Sequence, residues 1–342
     1  PFNQYQNASS SLYTTIAQYT GASYTQIKPI NPFLLSTPQS NGVQAVTAIS
    51  SFSPTTITAG TFSVLTINGT AFPATSTPSL VAFKNADDGG ATTISPIAAD
   101  IISWSTTQIQ VRVPTKAGTG VIRVNGINSA ATLTVPYSEL SVTYTNNLVY
   151  NTKHINQSGG GYTWTYNTAF NTNAPAKAAF QRSLQSWRCA TYINWPTSAT
   201  TSTITASAND GTNIVTFNGS LGAGILGQCG SYFSGCSVSG IFQWYVSELD
   251  IQFANTPGGL TWQYGPTAPT ASEYDFESVT VHELGHGHQL GHVIKTTDLM
   301  HYALSNGQSK RTLNTDDLNG GLAVMVRNAQ AGGTCNLPLM TP

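Results

Sequence analysis

The segment HELGHGHQLGH, from His282 to His292, decides how this 342-residue chain is interpreted. The chain has six histidines, and five of them fall between His282 and His301. On a helix, His282 and His286 are about 40° apart, so both imidazoles can reach one ion from the same face. Glu283 lies beside that face, where its carboxylate can stay off the metal and accept a proton from an activated water. The segment therefore predicts a zinc site with a neighbouring general base.

The third metal ligand has three conceivable sources. A glutamate further along is excluded, because no Glu follows Glu283 in the sequence. Aspartate stays open, although two of the three candidates resemble helix N-terminal residues; these candidates are Asp298, Asp316 and Asp317. His292 is the third source, but a continuous helix would carry it about 9 Å past the second histidine, so the helix must end first. Gly287 and Gly291 make such a turn feasible, because glycine accepts positive φ at little steric cost.

Here the sequence resembles the metzincin metallopeptidases, whose pattern is HExxHxxGxxH followed by a Met-turn. The glycine of that pattern is replaced by Gln289, which would be strained at positive φ, so the turn is expected at Gly291 instead. DLMHYAL offers Met300 as the Met-turn residue, an apolar floor beneath the metal in the family; an ordinary core methionine is the alternative. Met300, His301 and Tyr302 also match the Met-His-Tyr of astacins. Tyr302 is thus a candidate to touch zinc or stabilise an oxyanion, with a packed or surface tyrosine as the alternative.

The order of elements resembles the matrixin catalytic domain from about residue 140 to 330. A helix in AFQRSLQSWRCATYINW precedes edge-like AGILGQ, strand SELDIQF and the histidine helix, and KRTLNTDDLNGGLAVM fits the closing helix. In that family an edge strand pairs with an extended peptide substrate. The resemblance assigns this role to Ala223, Gly224, Ile225, Leu226 and Gly227. It implies peptide hydrolysis, with zinc on His282, His286 and His292 and with Glu283 as catalytic base.

Short β-branched runs broken by turn residues occupy residues 46–136, namely FSVLTINGTAF, SLVAFKN, TQIQVRVP and GVIRVNG. Their spacing predicts an all-β sandwich. The segment resembles the immunoglobulin-like IPT/TIG module, which implies a spacer or binding unit. Residues 1–45 show no strong period and are expected to be an extended lead-in or linker. The predicted fold is multidomain, with this sandwich followed at 137–342 by an α+β metzincin-type domain containing a mixed twisted sheet, an active-site helix and a C-terminal helix.

Composition narrows the function classes. Charged residues make up 8% of the chain and the net charge is -1, so no field favours nucleic acid or an anionic membrane. No stretch approaches the roughly 20 apolar residues that span a bilayer. The opening PFNQYQNASS lacks the basic and apolar regions of a signal peptide, so we expect a secreted protein whose leader has been removed. A monomer acting on polypeptide is the expectation.

The cysteines contain no close CxxC pair, so disulfides are expected rather than a thiolate zinc site. A short Gly-rich loop between Cys229 and Cys236 favours a local bridge, with Cys189 and Cys335 forming the long one, although four cysteines allow three connectivities. Structural calcium is a further option, without an assigned site because no acidic position forms an EF-hand-like loop. The acidic positions considered are Asp87, Asp88, Asp210 and Asp250.

Two other functions stay open. One is an adhesin or carbohydrate-binding protein whose zinc-peptidase domain is degenerate, although the intact set of histidines and glutamate argues against it. The other is a purely structural zinc site, which would need a fourth ligand, with His288, His301 and Tyr302 nearest in sequence. His288 is about 240° around the helix from His282 and is expected to face away from the metal. His154 and His301 lack ligand spacing and are expected to be ordinary histidines.

Overall fold

The computed structural model describes residues 47–144, 148–156, 161–219, 221–238, 240–329, 335, 337 and 340. The lead-in expected at residues 1–45 lies outside these ranges. Two four-stranded sheets come first, followed by a seven-stranded sheet packed against helices and by a small two-stranded sheet. No helix in the described ranges is long and apolar enough to cross a membrane.

The first two sheets form the predicted immunoglobulin-like sandwich. Their orders are β1-β2-β6-β5 and β4-β3-β7-β8, and every pairing within them is antiparallel. The strands are β1 (Ala48–Ser53), β2 (Val64–Thr70), β3 (Val81–Asn85), β4 (Thr93–Ile94), β5 (Ile101–Trp104), β6 (Gln108–Arg112), β7 (Ala117–Val124) and β8 (Ile127–Leu133). In β2, Leu65 and Ile67 alternate with more exposed neighbours and join one core with Phe83 and Ile122 of the facing sheet.

The remaining strands and helices build the predicted α+β domain. The strands are β9 (Ser141–Tyr144), β10 (Leu148–Lys153), β11 (Trp164–Asn167), β12 (Thr197–Ser202), β13 (Ile214–Asn218), β14 (Gly227–Val238), β15 (Ile241–Ala254), β16 (Thr261–Gln263) and β17 (Glu273–Asp275). The α-helices are α1 (Thr168–Thr172), α2 (Ala174–Thr191), α3 (Phe276–Gly287) and α4 (Thr315–Ala329). Short 3₁₀ helices span Pro78–Leu80, Ala86–Asp88, Ala98–Asp100 and Pro257–Gly259.

The large sheet is mixed, as the sequence predicted. Its order is β12-β11-β13-β15-β10-β9, with β14 antiparallel along the other side of β15. The outermost strand, β12, spans Thr197–Ser202. The run NIVTF corresponds to Ile214–Asn218, and SELDIQF lies within the long strand Ile241–Ala254.

Helices α2 and α3 pack against each other beneath this sheet. Helix α2 buries Phe180, Leu184 and Trp187 at helical spacing. The Trp187 indole donates to the Val281 carbonyl at 2.9 Å, which ties the two helices together. All twelve residues of α3 are buried, so this helix is the centre of the domain rather than a surface element.

The predicted disulfide pairing is wrong. The structure joins Cys236 to Cys335, with a Cα–Cα distance of 5.6 Å, and leaves Cys189 exposed and Cys229 buried as free thiols. The apparent loop between Cys229 and Cys236 is part of β14. Seven residues of extended strand span about 23 Å, whereas a disulfide needs Cα atoms within about 7 Å. The glycines between the two cysteines form no loop, because residues 229–236 pair with β15.

Candidate zinc centre

Helix α3 carries the first two candidate ligands and begins at Phe276. Asp275 is the N-cap, and its Oδ1 accepts from the Ser278 N–H at 2.8 Å. Arg311 binds the same carboxylate, and its Nε–H donates to Oδ2 at 3.0 Å. Since Asp275 is fully buried, this capped ion pair fixes the start of the helix and thereby the positions of His282 and His286, about two and three turns later.

The three histidines of the motif converge on one point. Candidate ligand atoms of His282, His286 and His292 all lie within 4.8 Å of one another, and all three side chains are buried. Each ring places Nδ1 against an oxygen acceptor: Leu299 O at 2.8 Å, Leu290 O at 2.8 Å and Asp87 Oδ1 at 2.9 Å, respectively. An imidazole that donates from Nδ1 presents the lone pair of Nε2, which is the arrangement found in histidine ligands of zinc. The donor set fits a catalytic zinc site with three protein ligands.

Burial also sets the charge state of the ligands. Burial, followed by the neighbouring imidazoles, lowers the pKa of His282 well below its usual value. Burial and His292 do the same to the pKa of His286. Both rings are therefore neutral at pH 7, and a neutral imidazole is the form that coordinates a metal.

The turn that returns His292 to the site differs from expectation. The helix ends at Gly287, but the left-handed residue is Gln289, with φ of 72°, so the predicted shift of the turn to Gly291 is wrong. The buried Gln289 amide compensates for the backbone strain. Its Oε1 accepts from Thr152 Oγ1 at 3.0 Å and its Nε2 donates to Ser231 Oγ at 3.1 Å, which ties the turn to the sheet.

Met300, the candidate Met-turn residue, packs against helix α3. Its side chain is buried, and its sulfur sits directly against Gly285, between the two helical histidines. The backbone of this segment also holds the site, because Leu299 O accepts from His282 and Met300 O accepts from the Val293 N–H at 2.9 Å. Any side chain at position 285 would displace the methionine.

Glu283 is buried next to the histidines and beside the edge of the sheet. A Cβ built on Gly227 would lie 2.9 Å from its Oε1, so only glycine leaves the carboxylate room there. Burial raises the pKa of Glu283 to about 8, while the Cys229 N–H, which donates to the carboxylate, lowers it. A cation held by the adjacent imidazoles would favour the ionised form, because opposite charge lowers a carboxyl pKa.

The strand that borders this carboxylate is longer and later than predicted. Of the five residues assigned to the substrate edge, Ala223 to Gly227, only Gly227 lies in a strand, and residues 223–226 form a turn and the short segment that leads into it. The strand itself is β14, and within the described ranges β15 is its only strand partner. The prediction started the edge at Ala223, whereas pairing with β15 starts at Gly227.

Tyr302, His288 and His154 all lie in packed surroundings. Tyr302 is half-buried, with its ring 4.8 Å from that of His301 and against Gly89 of the sandwich. His288 and His154 are fully buried with ring centroids 5.7 Å apart, and the Nε2 of His288 bonds to Thr191 Oγ1 at 2.8 Å.

The three aspartates weighed as third ligand lie elsewhere. Asp298 is held by Lys295 at 2.8 Å, while Asp316 and Asp317 lie in the first turn of α4. Among the described residues, the histidine triad is the one group of three or more His, Cys, Asp or Glu side chains close enough to share a metal. The acidic positions considered for calcium do not form such a group, so calcium has no support.

Sequence reasoning missed Asp87, which belongs to the sandwich. It lies 205 residues from His292 and bonds to the Nδ1 of that ring. Burial would raise the pKa of Asp87, but hydrogen bonds and charges from His292 and Lys116 hold it well below its usual range. No local motif surrounds Asp87, so no sequence signal could have identified its role.

The helix with its His-Glu-x-x-His face, the tight turn to a third histidine and the methionine beneath them define a zinc peptidase domain of the metzincin class. Comparison with protein families agrees. Residues 161–324 match the matrixin family, and residues 48–150 match the IPT/TIG domain. The chain therefore carries a matrixin domain behind an IPT/TIG domain, which indicates a zinc metallopeptidase acting on polypeptides. Comparison with curated proteins gives no match.

Proposed function

We propose that this protein is a secreted zinc endopeptidase in which Glu283 is the general base. The observation that carries the proposal is the convergence of three buried imidazoles, each oriented through Nδ1, beside a carboxylate on the same helix. Zinc, when bound there, supplies a Lewis acid that polarises the scissile carbonyl and acidifies a water. No fourth protein ligand joins the triad among the described residues, which favours a catalytic over a structural site.

Residues around the site would transfer the proton and bind the substrate. Glu283 accepts a proton from the attacking water and returns it to the departing amine, because burial raises the pKa of this carboxyl to about 8 and so favours proton uptake. The start of β14 passes directly beside it at Gly227. An extended peptide paired with this strand would lie with its main chain across Glu283, and we propose β14 in place of residues 223–226 as the substrate edge.

Two further assignments belong to this proposal. Secretion is supported by the Cys236–Cys335 disulfide, because such bridges persist in oxidising compartments. We assign Tyr302 to oxyanion stabilisation because of the Met-His-Tyr resemblance. Its ring lies 4.8 Å from that of His301, the residue after Met300.

The test compares the hydrolytic activity of Glu283→Gln with that of a control variant, Glu273→Gln. Glu283→Gln should retain bound zinc but lose about 10²–10⁴-fold in casein hydrolysis, because the base is removed while the ligands remain. Glu273→Gln, which removes a carboxylate from β17 just before the helix, should retain activity. Chelation should abolish hydrolysis and zinc should restore it.

An active Glu283→Gln protein would contradict the assignment of the base. If the wild-type chain binds zinc yet hydrolyses no polypeptide, the adhesin alternative with a degenerate peptidase domain is favoured instead. Metal analysis alongside the digest distinguishes these outcomes.

A further inference from the structure

The third histidine is oriented by a residue of another domain. His282 and His286 place Nδ1 against backbone carbonyls of the peptidase domain, Leu299 O and Leu290 O. His292 instead places Nδ1 against Oδ1 of Asp87, at 2.9 Å. Asp87 lies in the short 3₁₀ helix between β3 and β4 of the sandwich.

The Asp87 carboxylate is itself held in place. Its second oxygen pairs with Lys116 Nζ at 2.9 Å, also from the sandwich. The backbone N–H of Asp87 donates to Asn85 Oδ1 at 3.1 Å, and that of Ala86 donates to the Lys116 carbonyl at 2.8 Å. These bonds fix both the backbone and the side chain of Asp87 before any contact with the peptidase domain.

The sandwich also packs closely on both sides of His292. On one side, the Gly291 N–H donates at 2.8 Å to the carbonyl of Ser138, which directly follows the sandwich in sequence, and the Ser138 hydroxyl donates to the Thr115 carbonyl of the sandwich. On the other, Ile294 lies against Gly118, where an added Cβ would be 2.6 Å from its Cδ1. These contacts lie directly beside His292, so the docking of the two domains sets the separation of Asp87 from His292.

We propose that Asp87 is a positioning residue for the zinc ligand His292, so that the IPT/TIG domain forms part of the metal site. The inference rests on the proposed zinc peptidase function. A carboxylate behind a histidine ligand fixes the ring and raises its basicity, and loss of such a partner costs about 10–100-fold in metal affinity. The sandwich is then more than a spacer, because the peptidase domain supplies all three ligands but orients only two of them through its own carbonyls.

The experiment measures zinc affinity of the full chain by competition with a chromogenic chelator. Asp87→Ala removes the acceptor and should weaken zinc binding about 10–100-fold. Asp87→Asn keeps an oxygen that can accept from Nδ1 but loses the charge, so its loss should be smaller. The control is Asp100→Asn, a buried carboxylate of the same sandwich that accepts from Ile97 N at 3.2 Å and lies in a different 3₁₀ helix.

A second readout is independent of both affinity and activity. Cobalt substituted for zinc reports ligand geometry through its visible absorption bands. Those bands should change in Asp87→Ala and stay unchanged in Asp100→Asn, because only the first loosens the His292 ring. Thermal unfolding of each metal-free variant separates this effect from loss of the fold.

The outcomes distinguish this inference from the proposed function. Zinc affinity within about twofold of wild type in Asp87→Ala, with unchanged cobalt bands, would overturn the role of Asp87 while leaving the peptidase intact. Equal losses in Asp100→Asn would also overturn it, since stability of the sandwich would then be the cause. A wild-type chain that binds no zinc would overturn both.

Discussion

The packing of Met300 against the active-site helix yields a sharp test. Gly285 and Gly287 lie two residues apart on α3, but their surroundings differ. A methyl group on Gly285 would lie 3.1 Å from Met300 Cε and 3.2 Å from Trp187 Cζ2, with the methionine sulfur closer still. A methyl group on Gly287 would meet nothing nearer than Trp195 Cζ2 at 3.6 Å, an ordinary van der Waals contact. Gly285→Ala should therefore destabilise the protein relative to Gly287→Ala.

The magnitude follows from two opposing effects. Replacing glycine by alanine in a helix gains about 1 kcal/mol of stability from reduced backbone entropy. Inserting a methyl into a packed core costs about 1–3 kcal/mol. The helix gain is common to both variants, so the free energy of unfolding of Gly285→Ala should fall below that of Gly287→Ala by about 1–3 kcal/mol.

The assay is urea unfolding of metal-free protein, followed by circular dichroism, so that zinc binding does not obscure the difference. Adding Met300→Ala to each variant removes the clashing side chain, and the gap between the two glycine variants should then narrow. Equal stabilities of Gly285→Ala and Gly287→Ala, or a gap that persists without the methionine, would refute the reasoning. Zinc affinity of Gly285→Ala should fall as well, because Leu299 O next to Met300 orients His282.

Three further outcomes are expected. Burial lowers the pKa of His154 well below its usual value, so its neutral form stabilises the fold above about pH 6.5 and this contribution is lost as pH falls below that value; His154→Phe should shift acid unfolding, monitored by tryptophan fluorescence, to lower pH. Asp275→Ala leaves the Arg311 charge without its buried partner and uncaps α3, which should cost about 3–5 kcal/mol in urea unfolding. Cys236→Ser opens a bridge that spans 99 residues of sequence and should lower stability by about 2–5 kcal/mol, whereas Cys189→Ser, which removes an exposed free thiol, should change it little.

Local spacing explains why much of the centre could be predicted. The four-residue separation of His282 and His286 places both rings on one helical face whatever surrounds the helix, and Glu283 follows from the same geometry. The alternating pattern of β2 and the helical period of α2 likewise depend on neighbours a few residues away. Their strands and helices therefore appear where the sequence placed them.

The turn after the helix shows where local rules fail. Glycine is the inexpensive residue at positive φ, so the sequence favoured Gly291, yet Gln289 adopts φ of 72°. The strain is offset by hydrogen bonds to Thr152 and Ser231, which come from β10 and β14. Because Thr152 and Ser231 are distant from Gln289 in sequence, no local pattern predicts these hydrogen bonds.

The sequence by itself determined the class of chemistry, the helix that carries it and the succession of a β-sandwich and an α+β domain, because each depends on periodicity within a short segment. Only the tertiary structure decided the pairing of Cys236 with Cys335, the start of the substrate edge at Gly227 and the carboxylate behind His292. The physical reason is shared by all three. Each depends on which segments pack together, and the 205 residues between Asp87 and His292 are bridged only when the two domains dock.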